Sequence, residues 1–170
     1  EYTDKEKDNL GKYSSNLFTL NTFYSSIKRT IKGNTPSDST LSFLCKYWNC
    51  VASNIIQWNE LNKKEISKVD LRENYIVTQG VVIQAIGQVG SYFINNLEIN
   101  MYEILKGLRN IDWRRSASIW KNRVIRADGK ILTSNKAILL ASNQIKKELG
   151  IPLLPDEELK EKRYLESLTI

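Results

Sequence analysis

The stretch NYIVTQGVVIQAIGQVGSYFIN, residues 74–95, is apolar on nearly every side when it is placed on a helix. A helix of that kind is buried, so the stretch predicts a central helix with the other helices packed around it. Gly80, Gly87 and Gly90 lie inside it, and each costs about 1 kcal/mol relative to Ala unless another backbone approaches closely. We therefore assign these glycines to helix packing. The glutamines within the stretch make it too polar for a bilayer span of about 20 residues.

Amphipathic segments surround this central helix in the sequence. They carry apolar residues at spacings of three and four, and they are bounded by turn residues, by capping residues or by Pro. The predicted segments are 14–33, 41–64, 100–110, 137–150 and 155–168. Thr133 or Ser134 caps the fourth and Gly150 closes it, and Pro155 opens the fifth. The sequence thus predicts a mostly α fold, a helical bundle around a central apolar helix, and a single domain over residues 1–170.

One small β element is predicted between the third and fourth of these segments. The tripeptide ADG, residues 127–129, lies between RVIR and KIL. Asp-Gly favours the positive φ angles of tight two-residue turns. A β-hairpin is therefore expected from Val124 to Leu132.

The absence of His restricts the chemistry that this chain can perform. It removes the commonest general base and the Ser/His and Cys/His nucleophile pairs. Cys45 and Cys50 are the only two cysteines, which is too few for a structural zinc site. We predict no catalytic residue, no metal ligand and no cofactor. A nucleotide hydrolase or DNA-nicking function is left open, since converging carboxylates cannot be recognised from spacing alone.

Positive charge is concentrated between Lys106 and Lys147. This stretch holds eleven Lys and Arg residues against Asp112 and Asp128, in a chain of formal net charge +6. Arg beside Trp suits contacts with phosphates and stacking on bases. The candidate DNA-binding residues, with double-stranded DNA as the partner, are Arg109, Trp113, Arg114, Arg115, Lys121, Arg123, Arg126 and Lys130.

Two alternatives compete with this assignment. Trp113 and Trp120 could anchor a loop to the core while the arginines are solvated or cap helices. The arginines could also pair with the acidic last helix, which would neutralise the basic surface. A second, weaker candidate cluster is Lys28, Arg29 and Lys32, for which the dipole at the end of the first helix is the preferred explanation.

Four segments of the chain resemble one known family. They are NLFTLNTFYSSIK (16–28), DLRENYIVTQGVVIQAIGQVG (70–90), LRNIDWRRSASIWKNRVIRADGKILTS (108–134) and LGIPLLPDEE (149–158). Together they are similar to the carboxy-terminal part of DndB, the DNA sulfur modification protein of bacterial phosphorothioation gene clusters. The resemblance implies a DNA-binding transcriptional regulator, a repressor of those genes, in the bacterial cytoplasm. It also implies an upstream DGQHR-type domain, which residues 1–170 lack.

A helical dimerisation or docking module is the main alternative function. In that case DNA recognition would belong to the upstream domain, and the partners would be a second copy or other DNA-modification proteins. Exposed Phe43, Trp48 and Trp58 on the second helix would support it, since large exposed aromatic residues mark interfaces. No membrane partner is expected, because the longest apolar stretch of the chain is interrupted by polar residues and does not suit a bilayer span.

Overall fold

The structure is a computed structural model that describes residues 3–7, 10, 14 and 16–168. Within these residues it contains eight α-helices and one two-stranded parallel sheet. The helices are α1 Leu20–Thr30, α2 Asp38–Asn54, α3 Ile56–Asn62, α4 Lys68–Asn74, α5 Gly80–Ile94, α6 Met101–Leu105, α7 Asn135–Glu148 and α8 Pro155–Glu166. The strands are β1 Thr3–Asp4 and β2 Phe18–Thr19. The predicted mostly α fold class is confirmed.

Helix α5 is the central helix, as predicted. Most of its side chains are buried, and it packs against α1 and α7. It begins at Gly80 and not at Asn74, because Asn74 ends α4 and residues 76–79 form a turn, in which the amide of Gln79 donates to the carbonyl of Ile76 at 2.9 Å. The amide of Ile76 donates to the carbonyl of Trp113 at 3.0 Å, and Tyr75 forms an antiparallel bridge with Arg114.

The glycines of α5 allow α1 and α2 to approach its backbone, as the sequence indicated. A methyl group at Gly87 would overlap with the side chain and carbonyl group of Ser26. Three hydroxyl groups donate to carbonyls of α5 at this crossing: Ser26 to Ile83 at 2.8 Å, Thr30 to Gly87 at 2.8 Å and Tyr47 to Ile86 at 2.6 Å. The packing is therefore both close and hydrogen-bonded.

The prediction of a single helix over residues 41–64 is wrong, because the chain divides into α2 and α3 at Ile55. Ile55 is fully buried with extended backbone angles, φ −91° and ψ 101°. The side-chain amide of Asn59 donates to the carbonyls of Ala52, Ser53 and Ile55 at 3.2 to 3.3 Å. The bonds to Ala52 and Ser53 satisfy carbonyls that α2 leaves unpaired at its end.

Helices α7 and α8 begin and end close to the predicted residues. Ser134 caps α7 by accepting a hydrogen bond from the amide of Ala137 at 3.2 Å. Gly150, with φ +68°, follows its last turn. Pro155 occupies the first turn of α8, where its missing amide hydrogen costs nothing.

The predicted hairpin is present as a turn closed by one β-bridge, and the described residues there form no regular strand. The amide of Arg126 donates to Lys130 at 2.8 Å, and Ile125 bridges Ile131 in antiparallel register. The loop has three residues and not two, since only Gly129 has positive φ, at +80°. That geometry is typical of a type I turn followed by a left-handed glycine.

Candidate nucleic-acid interface

Two tryptophans hold the basic segment to the core. Trp113 and Trp120 are buried, and their rings stack with centroids 5.4 Å apart. The indole N–H of Trp113 donates to the carbonyl of Leu108 at 3.1 Å, and that of Trp120 donates to the carbonyl of Asp112 at 2.6 Å. This burial corrects the prediction that Trp113 contacts DNA, because its ring faces have no access to a base. The alternative of a loop anchored by tryptophans describes both residues.

Arg123 is also buried, 4% exposed, and it forms an ion pair with Glu161 of α8. Its Nη1 lies 2.9 Å from Glu161 Oε2, and its guanidinium carbon lies 4.3 Å from the centre of the Tyr164 ring. Lys147 Nζ donates to the same carboxylate at 3.0 Å. The prediction of DNA contact is therefore corrected for Arg123, whose charge is used inside the protein.

The carboxyl group of Glu161 responds to these partners. Burial alone raises its pKa, but hydrogen bonds from Arg123 and Lys147 outweigh that effect and hold the pKa at about 2. It therefore stays ionised at neutral pH in the folded chain. The ion pair fastens α8 to the segment that follows Trp120.

Arg109 is accessible, and its hydrogen bonds go to the end of α2. Its Nε donates to Asn54 Oδ1 at 2.6 Å, and Nη2 lies 3.5 Å from the carbonyl of Ser53. Both residues belong to the end of α2. Arg109 therefore lines a shallow depression with Lys46 and Lys106.

The remaining five candidates lie in the turn at Gly129 or in the segments that precede it. Arg115 Nη2 donates to the carbonyl of Gly129 at 3.1 Å, which joins the segment after Trp113 to the turn. Lys121 bridges Ile125, the residue before Arg126. We call this group the loop surface; it consists of Arg114, Arg115, Lys121, Arg126 and Lys130.

Two carboxylates partly neutralise the loop surface. Asp112 accepts from Arg114 at 2.6 Å, and Asp128 pairs with Arg126 and lies 4.0 Å from Lys130. The bond from Arg126 outweighs desolvation and lowers the pKa of Asp128 to about 2. Among the residues that the structure describes, no other carboxylate lies within 4 Å of these cations. The loop surface thus contains five cations, and two carboxylates pair with some of them. Exposed ion pairs of this kind contribute little to stability.

A second group of cations comes together in the fold, and the sequence indicates only two of its members as part of a weaker cluster. Arg29 and Lys32 lie beside the second half of α5 with Lys136, Lys160 and Arg163, around one cleft. The sequence assigns Arg29 and Lys32 to the dipole of α1, and it marks the helix that carries Lys160 and Arg163 as acidic. Their positions depend on how α8 packs, and no local pattern reports that.

Two other kinds of feature are absent from the described ranges. No three Asp, Glu, Cys or His residues come together there in a way that could hold a metal ion. No helix in these ranges is long and apolar enough to span a membrane.

Comparison with known proteins gives one result about family. The model of a family described as DndB, DNA-sulfur modification-associated, matches residues 1–152. This range contains α1 to α7 and the loop surface, and it leaves α8 outside. The comparisons with curated proteins and with solved structures gave no match.

Proposed function

Because the chain belongs to the DndB family of DNA-sulfur modification-associated proteins, we propose that it binds double-stranded DNA through the loop surface. By this binding it regulates transcription of phosphorothioation genes in the bacterial cytoplasm. The observation that carries the proposal is the bond between Arg115 and Gly129. It brings cations from two separate segments onto one exposed surface.

The chemistry of the loop surface suits a phosphate backbone. Arg presents a planar fork of N–H donors that matches phosphate oxygens, and Lys adds a mobile point charge. The carboxylates of Asp112 and Asp128 already occupy some of these donors. Since both pairs are solvent-exposed, a phosphate can replace the carboxylate at little cost. Phosphate bonds of this kind position a protein on DNA and do not read its sequence.

The test is a fluorescence anisotropy titration of labelled duplex DNA with a variant that lacks three cations of the loop surface. Arg115→Ala, Arg126→Ala and Lys130→Ala together should weaken binding about tenfold or more, because three phosphates are no longer neutralised. A matched control replaces three exposed lysines of α1, α2 and the end of α3, at positions 28, 46 and 63, by Ala. Equal affinity for all three proteins, or an equal loss of affinity in both variants, would refute the proposal.

A second candidate function is docking of another protein. The exposed apolar residues that could support it differ from the aromatic residues that the sequence suggested. Phe43, Trp48 and Trp58 are half-buried and pack against the core. The exposed apolar residues include Leu41 of α2 and Leu97, which precedes α6 and is 74% exposed. Exposed apolar residues become candidates for an interface where they form a contiguous patch. Light scattering that finds only monomers at high concentration would count against self-association.

A further inference from the structure

We infer that the cleft between α1, α5, α7 and α8 is a binding site for a compact polyanion, a small molecule with several phosphate-type charges. The cleft has a volume of about 750 Å³. That size lies in the range of small-molecule sites, about 300 to 1,000 Å³. The inference does not depend on DNA binding by the loop surface.

Five cations line this cleft: Arg29, Lys32, Lys136, Lys160 and Arg163. They come from the end of α1, the turn after it, the start of α7 and one face of α8. Within the described part of the chain, none of the five has a carboxylate within 4 Å of its charged group. The cleft therefore concentrates positive charge that no ion pair among these residues offsets.

The one carboxylate in the described lining, Glu157, is already occupied. It is buried, and Lys146 Nζ lies 2.8 and 2.7 Å from its two oxygens. One of these oxygens also accepts from the amide of Leu154 at 2.9 Å. Glu157 thus serves to cap α8 and pair with Lys146, so it does not neutralise the five cations.

Arg29 is the best-positioned of these cations. It is half-buried, and its Nε and Nη2 donate to Gln84 Oε1 at 3.2 Å and to Asn135 Oδ1 at 2.7 Å. Burial lowers its pKa, although a guanidinium group stays charged in proteins. Both acceptors are neutral amides, which fix the guanidinium without cancelling its charge. A fixed cation loses less conformational entropy when it binds an anion.

The shape of the cleft favours a small ligand over a duplex. Leu139, Leu140 and Leu154 add apolar surface to the lining, and the cations surround it from three helices and the turn after α1. A concave site with charges on several sides matches a compact ion whose charges point in several directions. Because the five cations come from four different segments around the cleft, the inferred ligand carries two or more phosphate-type groups. Because Lys160 and Arg163 lie in α8, the site extends beyond the range that the family model matches.

The test is isothermal titration calorimetry of the full chain with tripolyphosphate at constant ionic strength. Wild-type protein should bind it at least tenfold more tightly than orthophosphate. Lys136→Gln with Lys160→Gln should weaken binding by about tenfold for each cation removed. The matched control, Lys28→Gln with Lys162→Gln, removes two exposed lysines of α1 and α8 that do not line the cleft. It should bind tripolyphosphate as the wild type does.

Three results would overturn the inference. The first is the absence of binding heat when tripolyphosphate is added to the wild-type protein. The second is an equal loss of affinity in both pairs of substitutions. The third is that Lys136→Gln with Lys160→Gln weakens the binding of duplex DNA but not that of tripolyphosphate. The last result would make the cleft part of the DNA-binding surface. The variant lacking three loop-surface cations should bind tripolyphosphate normally, which keeps this test separate from that of DNA binding.

Discussion

Gly87 is the residue on which the packing of α1 against α5 depends most directly. We expect Gly87→Ala to lower the free energy of unfolding by about 2 kcal/mol, because the added methyl group would push Ser26 away. Urea denaturation measures the change. Gly80→Ala is the control, since a methyl group there would meet Thr22 at an ordinary distance of 3.5 Å. If both substitutions have the same effect, the close approach at Gly87 is not a determinant of stability.

Glu161 should make the stability of the chain sensitive to acid. Its pKa is about 2 in the fold against an ordinary value of 4.5. The ionised form therefore stabilises the fold above pH 4.5, and this contribution disappears as the pH falls towards 2. At neutral pH, Glu161→Gln should lower the free energy of unfolding by about 3 kcal/mol, because Arg123 loses its buried partner.

Denaturation curves at several pH values check this prediction. The difference between wild type and Glu161→Gln should shrink as the pH falls from 4.5 towards 2. A difference that stays constant over this range would show that the carboxylate charge does not contribute.

Residue type alone does not predict which residues of the basic segment are buried and which are exposed. Trp113 and Arg123 suit a DNA surface and a protein core equally well, since both can stack and donate hydrogen bonds. Their burial follows from partners distant in sequence, such as Glu161, 38 residues away from Arg123. The buried α5 is predictable, because its apolar residues and glycines are contiguous in the sequence.

The turn at residues 126–130 is the element that shapes the loop surface. Asp128 competes with DNA there, because it holds Arg126 and lies near Lys130. We expect Asp128→Asn to strengthen duplex binding about threefold to tenfold, since it frees one arginine and removes a repulsive charge. The Asn oxygen can still accept the hydrogen bond from the amide of Lys130.

Anisotropy titrations at low salt compare this variant with the wild type. Asp38→Asn, at the exposed start of α2, is the control for an equal change in net charge. Weaker binding by Asp128→Asn, or an equal gain in the control, would contradict the role given to the turn.

Helix boundaries are predictable where a local capping signal marks them. Ser134, Gly150 and Pro155 are signals of this kind at the ends of α7 and α8. The break at Ile55 carries no such signal, because the apolar spacing of Val51, Ile55 and Trp58 continues through it. The three bonds that the Asn59 side chain makes to carbonyls at the break leave no trace in the hydrophobic pattern.

The fold distributes the basic charge of the chain over three roles. Arg123, Lys146 and Lys147 pair with carboxylates of α8 and hold that helix in place. The loop surface remains accessible beside the turn, and the cations of the cleft lie along the second half of α5. The net charge of +6 therefore leaves two separate positive surfaces, although many of the cations are paired.

The salt dependence of duplex binding tests the central proposal most directly. The logarithm of the association constant should fall linearly with the logarithm of salt concentration, with a slope of about −0.9 for each phosphate neutralised. Replacing Arg115, Arg126 and Lys130 by Ala should make this slope shallower by about 2 to 3, since up to three fewer phosphates are then neutralised. An unchanged slope in that variant would contradict the proposal that the loop surface binds the DNA backbone.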